Sequence, residues 1–169
     1  EEVYRVAPPE DEEIFRDQFE SSEQVMIDAS LIRPSAASFS SVKPKKILVA
    51  DDNEVNLRMF RNLLESEDYL VVTTKNGLDA FKVTMQEKPD LIISNFTLSK
   101  INGLDLIKKL KSQVTTRYVP IILLIGKGEE NFEMAGNNSG ADVCIRKPVS
   151  SKNLLVRVNR LLDKAAGSD

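Results

Sequence analysis

Five short apolar runs, interleaved with amphipathic stretches, are what most limits the shapes open to this chain. KILVA (46–50), LVVTT (70–74), DLIIS (90–94), VPIILLI (119–125) and DVCIR (142–146) each have the length of a strand. Three of them are almost wholly apolar, which suits strands of a parallel sheet covered on both faces. The stretches between them repeat their apolar residues at close to helical spacing. Glu54 to Ser66 carries Val55, Leu57, Met59, Phe60, Leu63 and Leu64, and Asn53 stands ahead of it as an N-cap. Asn76 to Glu87 carries Leu78, Phe81 and Met85, and Pro89 stops it. Gly103 to Ser112 carries Leu104, Ile107 and Leu110. Glu129 to Asn138 is a weaker helix, diluted by Gly136, Asn137 and Asn138. Ser150 to Lys164 places Leu154, Leu155, Val158, Leu161 and Leu162 on one face.

Strands alternating with helices in this way predict an α/β fold with right-handed crossovers. The expected form is doubly wound and flavodoxin-like: a five-stranded parallel sheet of order 2-1-3-4-5 with five helices. In such a sheet the side chains that do chemistry sit at the carboxyl ends of the strands, beside the point where the order reverses. Four polar residues fall at such positions. Asp51 and Asp52 follow the first run, Asn95 follows the third, and Lys147, just before Pro148, follows the fifth.

The totals narrow the classes. At 169 residues the chain holds one domain and a modest extension. No apolar run approaches the roughly 18 residues of a membrane span, and the opening EEVYRV is no basic, apolar-cored leader, so a cytoplasmic protein is expected. The start at Glu1 rather than Met reads as a processed chain or a fragment of something longer. Cys144 is the single cysteine and there is no histidine, so neither an internal disulfide nor a zinc site is expected. Residues 1–44 hold 10 acidic and 4 basic side chains, whereas residues 45–169 have a net charge of +3. Neither part has the basic density of a nucleic-acid surface. Residues 1–44 read as an acidic arm. Pro8-Pro9 opens one short helix with a narrow stripe of Ile14, Phe15 and Phe19, and RPSAASFSSVKP (33–44) is a small-residue linker. Residues 45–165 form the domain and 166–169 a tail.

Two carboxylates after the first strand, a polar residue ending the third and a lysine after the fifth resemble the receiver (response-regulator, CheY-like) domain of two-component signalling. The resemblance spans the domain. In that family the acidic pair helps hold Mg²⁺, an aspartate ending the third strand attacks a phosphoryl group, and the lysine neutralises the developing oxyanion. Asp51, Asp52 and Lys147 match residue by residue, and the residue types suit the chemistry: a hard dication wants oxygen ligands, and phosphoryl transfer needs positioning and charge stabilisation. Asn95 stands where the acceptor belongs. Its amide nitrogen has no nucleophilic lone pair to offer, so no acyl phosphate forms. Metal binding weakens too, because two unit charges about 4 Å apart repel by roughly 4 kcal/mol at an effective dielectric near 20, and removing one relieves the need for a dication. Other departures agree. The fourth strand ends in Ile125-Gly126 where a Thr or Ser hydroxyl is usual, Cys144 replaces a switching aromatic, and Leu98-Ser99 replaces a Met-Pro pair.

The resemblance therefore implies a degenerate pseudo-receiver, a phosphorylation-independent protein-interaction and regulatory module. It implies no enzyme activity and no cofactor beyond weak Mg²⁺ at Asp51 and Asp52. The expected partner is a histidine kinase or a downstream effector. Two surfaces offer themselves: the first helix, or the face of the fourth helix, fifth strand and fifth helix, which would also serve a homodimer. DDNEVNLRMFRNLLE is similar to receivers attached to hybrid histidine kinases, which would make residues 1–44 the connector from a preceding domain. Two other readings stand beside this one. One is a working phosphoacceptor whose aspartate was changed to Asn95 by design. The other is a degenerate receiver that binds a small effector such as a cyclic dinucleotide through Arg117, Arg146, Arg157 and Arg160. Cys144, on a strand, is expected to be buried with an unremarkable pKa, which argues against redox sensing.

Overall fold

The apolar runs do become parallel strands, with those at the centre of the sheet buried and those at its edges partly exposed. The computed structural model describes residues 42–167. In chain order it consists of β1 (Lys46–Ala50), α1 (Glu54–Glu65), β2 (Leu70–Thr74), α2 (Gly77–Glu87), β3 (Leu91–Asn95), α3 (Gly103–Lys111), β4 (Ile121–Ile125), a 3₁₀ turn (Glu130–Phe132), α4 (Glu133–Ser139), β5 (Val143–Arg146) and α5 (Ser151–Ala166). All pairings are parallel and the strand order is β2-β1-β3-β4-β5. Every residue of β3 and β4 is buried, the apolar runs together with Ser94 and Asn95 at the end of β3. The short acidic helix expected in the arm lies outside the described residues.

The sheet divides the interior into two cores. On one face Ile47, Val49, Leu91, Ile93, Ile122 and Leu124 meet Leu57, Phe60 and Leu64 of α1 and Leu154, Val158 and Leu162 of α5. On the other, Leu48, Ile92, Ile121, Leu123 and Ile125 meet Ala80 of α2 and Leu106, Ile107 and Leu110 of α3. The alternation follows from the strand period of two.

Strand boundaries differ from the sequence expectation by one or two residues, each for a hydrogen-bonding reason. Asp90 and Asp142, expected inside strands, stand just ahead of β3 and β5. Each gives its own N–H to a neighbouring strand and uses its carboxylate for that strand's first N–H. Asp90 donates to the Lys46 carbonyl and accepts from the Lys46 N–H at 2.8 Å. Asp142 does the same with Ile121, also accepting at 2.8 Å. Val119 and Pro120 fall outside β4, since proline has no N–H for a ladder and the Val119 N–H turns back to the Thr116 carbonyl.

Asn53, Asn76, Asn102 and Ser150 cap the helices they precede, so Asn76 and Ser150 lie outside α2 and α5. The largest correction concerns α2. Its fully buried residues are Gly77, Ala80 and Thr84; Phe81 packs part-buried against the core, Leu78 is half-buried and Met85 is 38% exposed. Small residues let this helix approach closely: a Cβ on Gly77 would sit 1.8 Å from the Ile101 carbonyl oxygen. The Thr84 hydroxyl is satisfied within the helix by the Ala80 carbonyl at 2.7 Å. On α1, Phe60 and Leu64 are core, while Val55 and Met59 are 73% and 50% exposed. Among the described residues, no helix is long and apolar enough to cross a membrane.

Candidate functional site

Strand register brings the expected positions to one edge. Ala50 pairs with Ser94, Asn95 with Leu124 and Leu124 with Ile145, so Asp51, Asn95 and Lys147 all emerge at the carboxyl ends of their strands. Asp51 is 1% exposed. Its backbone N–H bonds the Thr74 carbonyl at 3.1 Å. Its carboxylate accepts the Asn53 N–H at 2.9 Å and the Asn56 side-chain amide at 3.1 Å. Asn53 in turn caps α1, accepting from the N–H groups of Val55 and Asn56. The buried carboxylate thus serves the start of α1, whereas Asp52 is exposed.

Asn95 closes β3 and is 7% exposed. Its amide nitrogen donates to the Thr97 carbonyl at 3.0 Å, a bond that an ionised carboxylate could not make. Lys147 is half-buried and fixed through its backbone, whose N–H bonds the Ile125 carbonyl at 2.8 Å, and the Lys147–Pro148 peptide is cis. Ile125 is fully buried and packs in the α2–α3 core with Leu98.

No pattern in the residues foretells the partner that spans this edge. Glu129, expected merely to open a helix, lies ahead of the 3₁₀ turn and extends its carboxylate between two loops. One oxygen accepts the Gly126 N–H at 2.7 Å and the other accepts the Thr97 hydroxyl. Phe96 and Phe132 stack beside this bridge with ring centroids 5.1 Å apart. No periodicity ties Thr97 to Glu129 across 32 residues.

A parallel 2-1-3-4-5 sheet with acidic residue, asparagine and lysine at one edge is now matched by sequence. Residues 47–159 match the response regulator receiver domain. The chain belongs to the receiver family. Among its relatives is the polar-differentiation response regulator DivK of Brucella anthropi, 30% identical over 122 residues, a match covering 72% of this chain and 99% of that one. Among solved structures, the signal receiver domain of a signal transduction histidine kinase from Syntrophus aciditrophicus is 30% identical. It has a TM-score of 0.67 and the match covers 71% of this chain and 91% of that one. The receiver domain of a sensor histidine kinase of Pseudomonas aeruginosa PAO1, solved with magnesium coordinated in its active-site cleft, shares the fold. It is 23% identical, with a TM-score of 0.66 and coverage of 71% of this chain and 98% of that one.

The donor set of this receiver suits a dication poorly. Both Asp51 oxygens already accept hydrogen bonds, Asp52 is exposed and Asn95 is neutral. Among the described residues no group of three or more His, Cys, Asp or Glu could hold a metal ion.

Two further expectations need correction. Arg117 and Arg146 stand at opposite ends of the sheet. Arg117 precedes β4, while Arg146 ends the adjacent parallel β5, so the sheet separates them, and Arg146 is bound by Glu133 at 2.8 and 2.5 Å. Cys144 is half-buried, and its thiol pKa is raised, first by burial and then by the charge of Glu133. A raised pKa leaves less thiolate at a given pH. Iodoacetamide at pH 8 is therefore expected to alkylate the native receiver severalfold more slowly than the urea-unfolded chain, by intact mass. Equal rates would contradict that placement.

Proposed function

We propose that this receiver is a phosphorylation-independent pseudo-receiver, acting as a protein-interaction and regulatory module in two-component signalling. The observation that supports it most is the use of Asn95: the acceptor position holds an amide that donates to the Thr97 carbonyl. Ile125 supplies no hydroxyl at the end of β4, and Cys144 supplies no aromatic ring on β5. Asp51, Asp52 and Lys147 are then remnants of the site. Asp51 supports α1, and any Mg²⁺ held with Asp52 is weak. The domain, residues 45–165, keeps the fold for its surfaces.

Those surfaces carry exposed apolar side chains. Val55 and Met59 lie on α1, and Met134 and Val156 lie on α4 and α5, at 74% and 44% exposure. A histidine kinase or downstream effector fits such faces, and the second face would also serve a homodimer. The cytoplasm is the compartment in which such partners reside.

The test restores the missing carboxylate. The chain and its Asn95→Asp variant are incubated with Mg²⁺ and a small phosphodonor, and intact mass reports the adduct. The chain is expected to remain unlabelled and the variant to label in only a minority of molecules. The variant also loses the Thr97 bond and sets a carboxylate against a carbonyl, a stability loss of about 1–3 kcal/mol in urea unfolding. Stoichiometric labelling of Asn95→Asp without that loss would favour the rival reading, a working phosphoacceptor altered by design.

A further inference from the structure

The bridge made by Glu129 has the form of an anion site that is already filled. Its receptor groups come from different loops: the backbone N–H of Gly126, just after β4, and the hydroxyl of Thr97, just after β3. Each takes a separate carboxylate oxygen, so one carboxylate satisfies both at once and with charge-assisted bonds. Neither donor needs Asn95, but Asn95 holds the carbonyl of the same Thr97. The contacts thus run unbroken from the end of β3, through Thr97 and Glu129, to the end of β4. The Phe96–Phe132 stack brings the same two loops together a second time. A Cβ on Gly126 would lie 3.1 Å from the Glu129 carboxylate, so that glycine permits the close approach.

We propose that Gly126 and Thr97 form a carboxylate-binding seat, filled in cis by Glu129, which latches the β3–α3 and β4–α4 loops together. The ligand class is a small carboxylate and the resident ligand is this chain's own side chain. Glu130, one residue on, makes a contrast. It accepts the Gly128 N–H within its own loop at 2.8 Å and bridges nothing. The latch holds these loops without any added group, which deepens the reading of a domain whose surfaces do not await phosphorylation. It is tested at residue 129, leaving residue 95 untouched, so either idea can fail alone.

Amide hydrogen exchange of the whole chain, followed by NMR, tests it. Glu129→Ala is expected to speed exchange at Gly126 by about tenfold or more, the factor set by a charge-assisted hydrogen bond. The acceleration should spread across sequence to residues 96–103, while core amides of β3 and β4 report an intact fold. Thr97→Val should speed exchange at Gly126 in the same direction, and Glu130→Ala should leave residues 96–103 unchanged. Glu129→Gln should fall between the parent chain and Glu129→Ala: its amide oxygen still accepts the Gly126 N–H and its NH₂ can donate to the Thr97 hydroxyl, but without the negative charge. Sodium formate added to Glu129→Ala should slow exchange again at Gly126 and in residues 96–103, whereas sodium chloride at equal concentration should not. If Glu129→Ala perturbs only residues 126–132, or if formate does no more than chloride, the proposal is overturned.

Discussion

Replacing Gly77 by alanine is expected to cost about 3 kcal/mol or more, although the residue lies in a helix where alanine is intrinsically preferred. The propensity gain is about 1 kcal/mol and is outweighed. The added methyl would fall 1.8 Å from the Ile101 carbonyl oxygen and 2.7 Å from its carbon, both backbone atoms that cannot swing aside like a side chain. The start of α2 or the loop before α3 has to retreat. The bond from the Gly77 N–H to the Ser99 carbonyl, 3.1 Å, goes with it. For a domain of this size the loss corresponds to a drop of about 10 °C in the midpoint of thermal unfolding, read by circular dichroism. Gly167→Ala is the control: its Cβ would meet nothing nearer than 3.5 Å, and the midpoint should hardly move. A fall no larger for Gly77→Ala than for Gly167→Ala would contradict the close approach of α2.

Leu64→Ala should be comparably severe. Leu64 is 0% exposed and lies with Phe60, Ile47 and Leu91 in the α1–α5 core. Truncating a buried leucine removes transfer free energy and leaves a cavity, together about 3–4 kcal/mol when the surroundings cannot collapse. The neighbouring strands are fixed by ladders on both sides, so collapse is limited. Val55→Ala, on the same helix but 73% exposed, should change stability by no more than about 0.5 kcal/mol. Urea unfolding of both variants checks the pair. Similar midpoints would mean that α1 does not dock through Leu64.

These contrasts show how far the residues alone could be read. The strands were legible because β4 is apolar throughout and β3 is apolar up to Ser94 and Asn95, short runs buried on both faces. The cap at Asn53 was legible because it precedes a periodic stretch, whereas Asn76 and Ser150, expected inside their helices, proved to be caps. The face of α2 was not. Hydrophobic spacing marks large side chains, whereas this helix buries Gly77, Ala80 and Thr84 to come close to its neighbours. Within the site, Asp51, Asn95 and Lys147 could be read from strand ends, because register carries each strand terminus to a common edge. Glu129 could not be read, since its contacts with Thr97 and Gly126 depend on how two loops fold over that edge. Arg117 and Arg146 could not be placed together for a related reason: sequence proximity to a strand does not say which end of the sheet a residue occupies.

The sheet that parts the two cores also insulates them. Leu64 on one side and Leu106 on the other share no apolar neighbourhood, so their truncations should sum to within about 0.5 kcal/mol. Substitutions in the α1–α5 layer, where Val55 and Val156 meet solvent, can therefore remodel that surface on their own. The α2–α3 layer, on the far side of the wall, need not change in step.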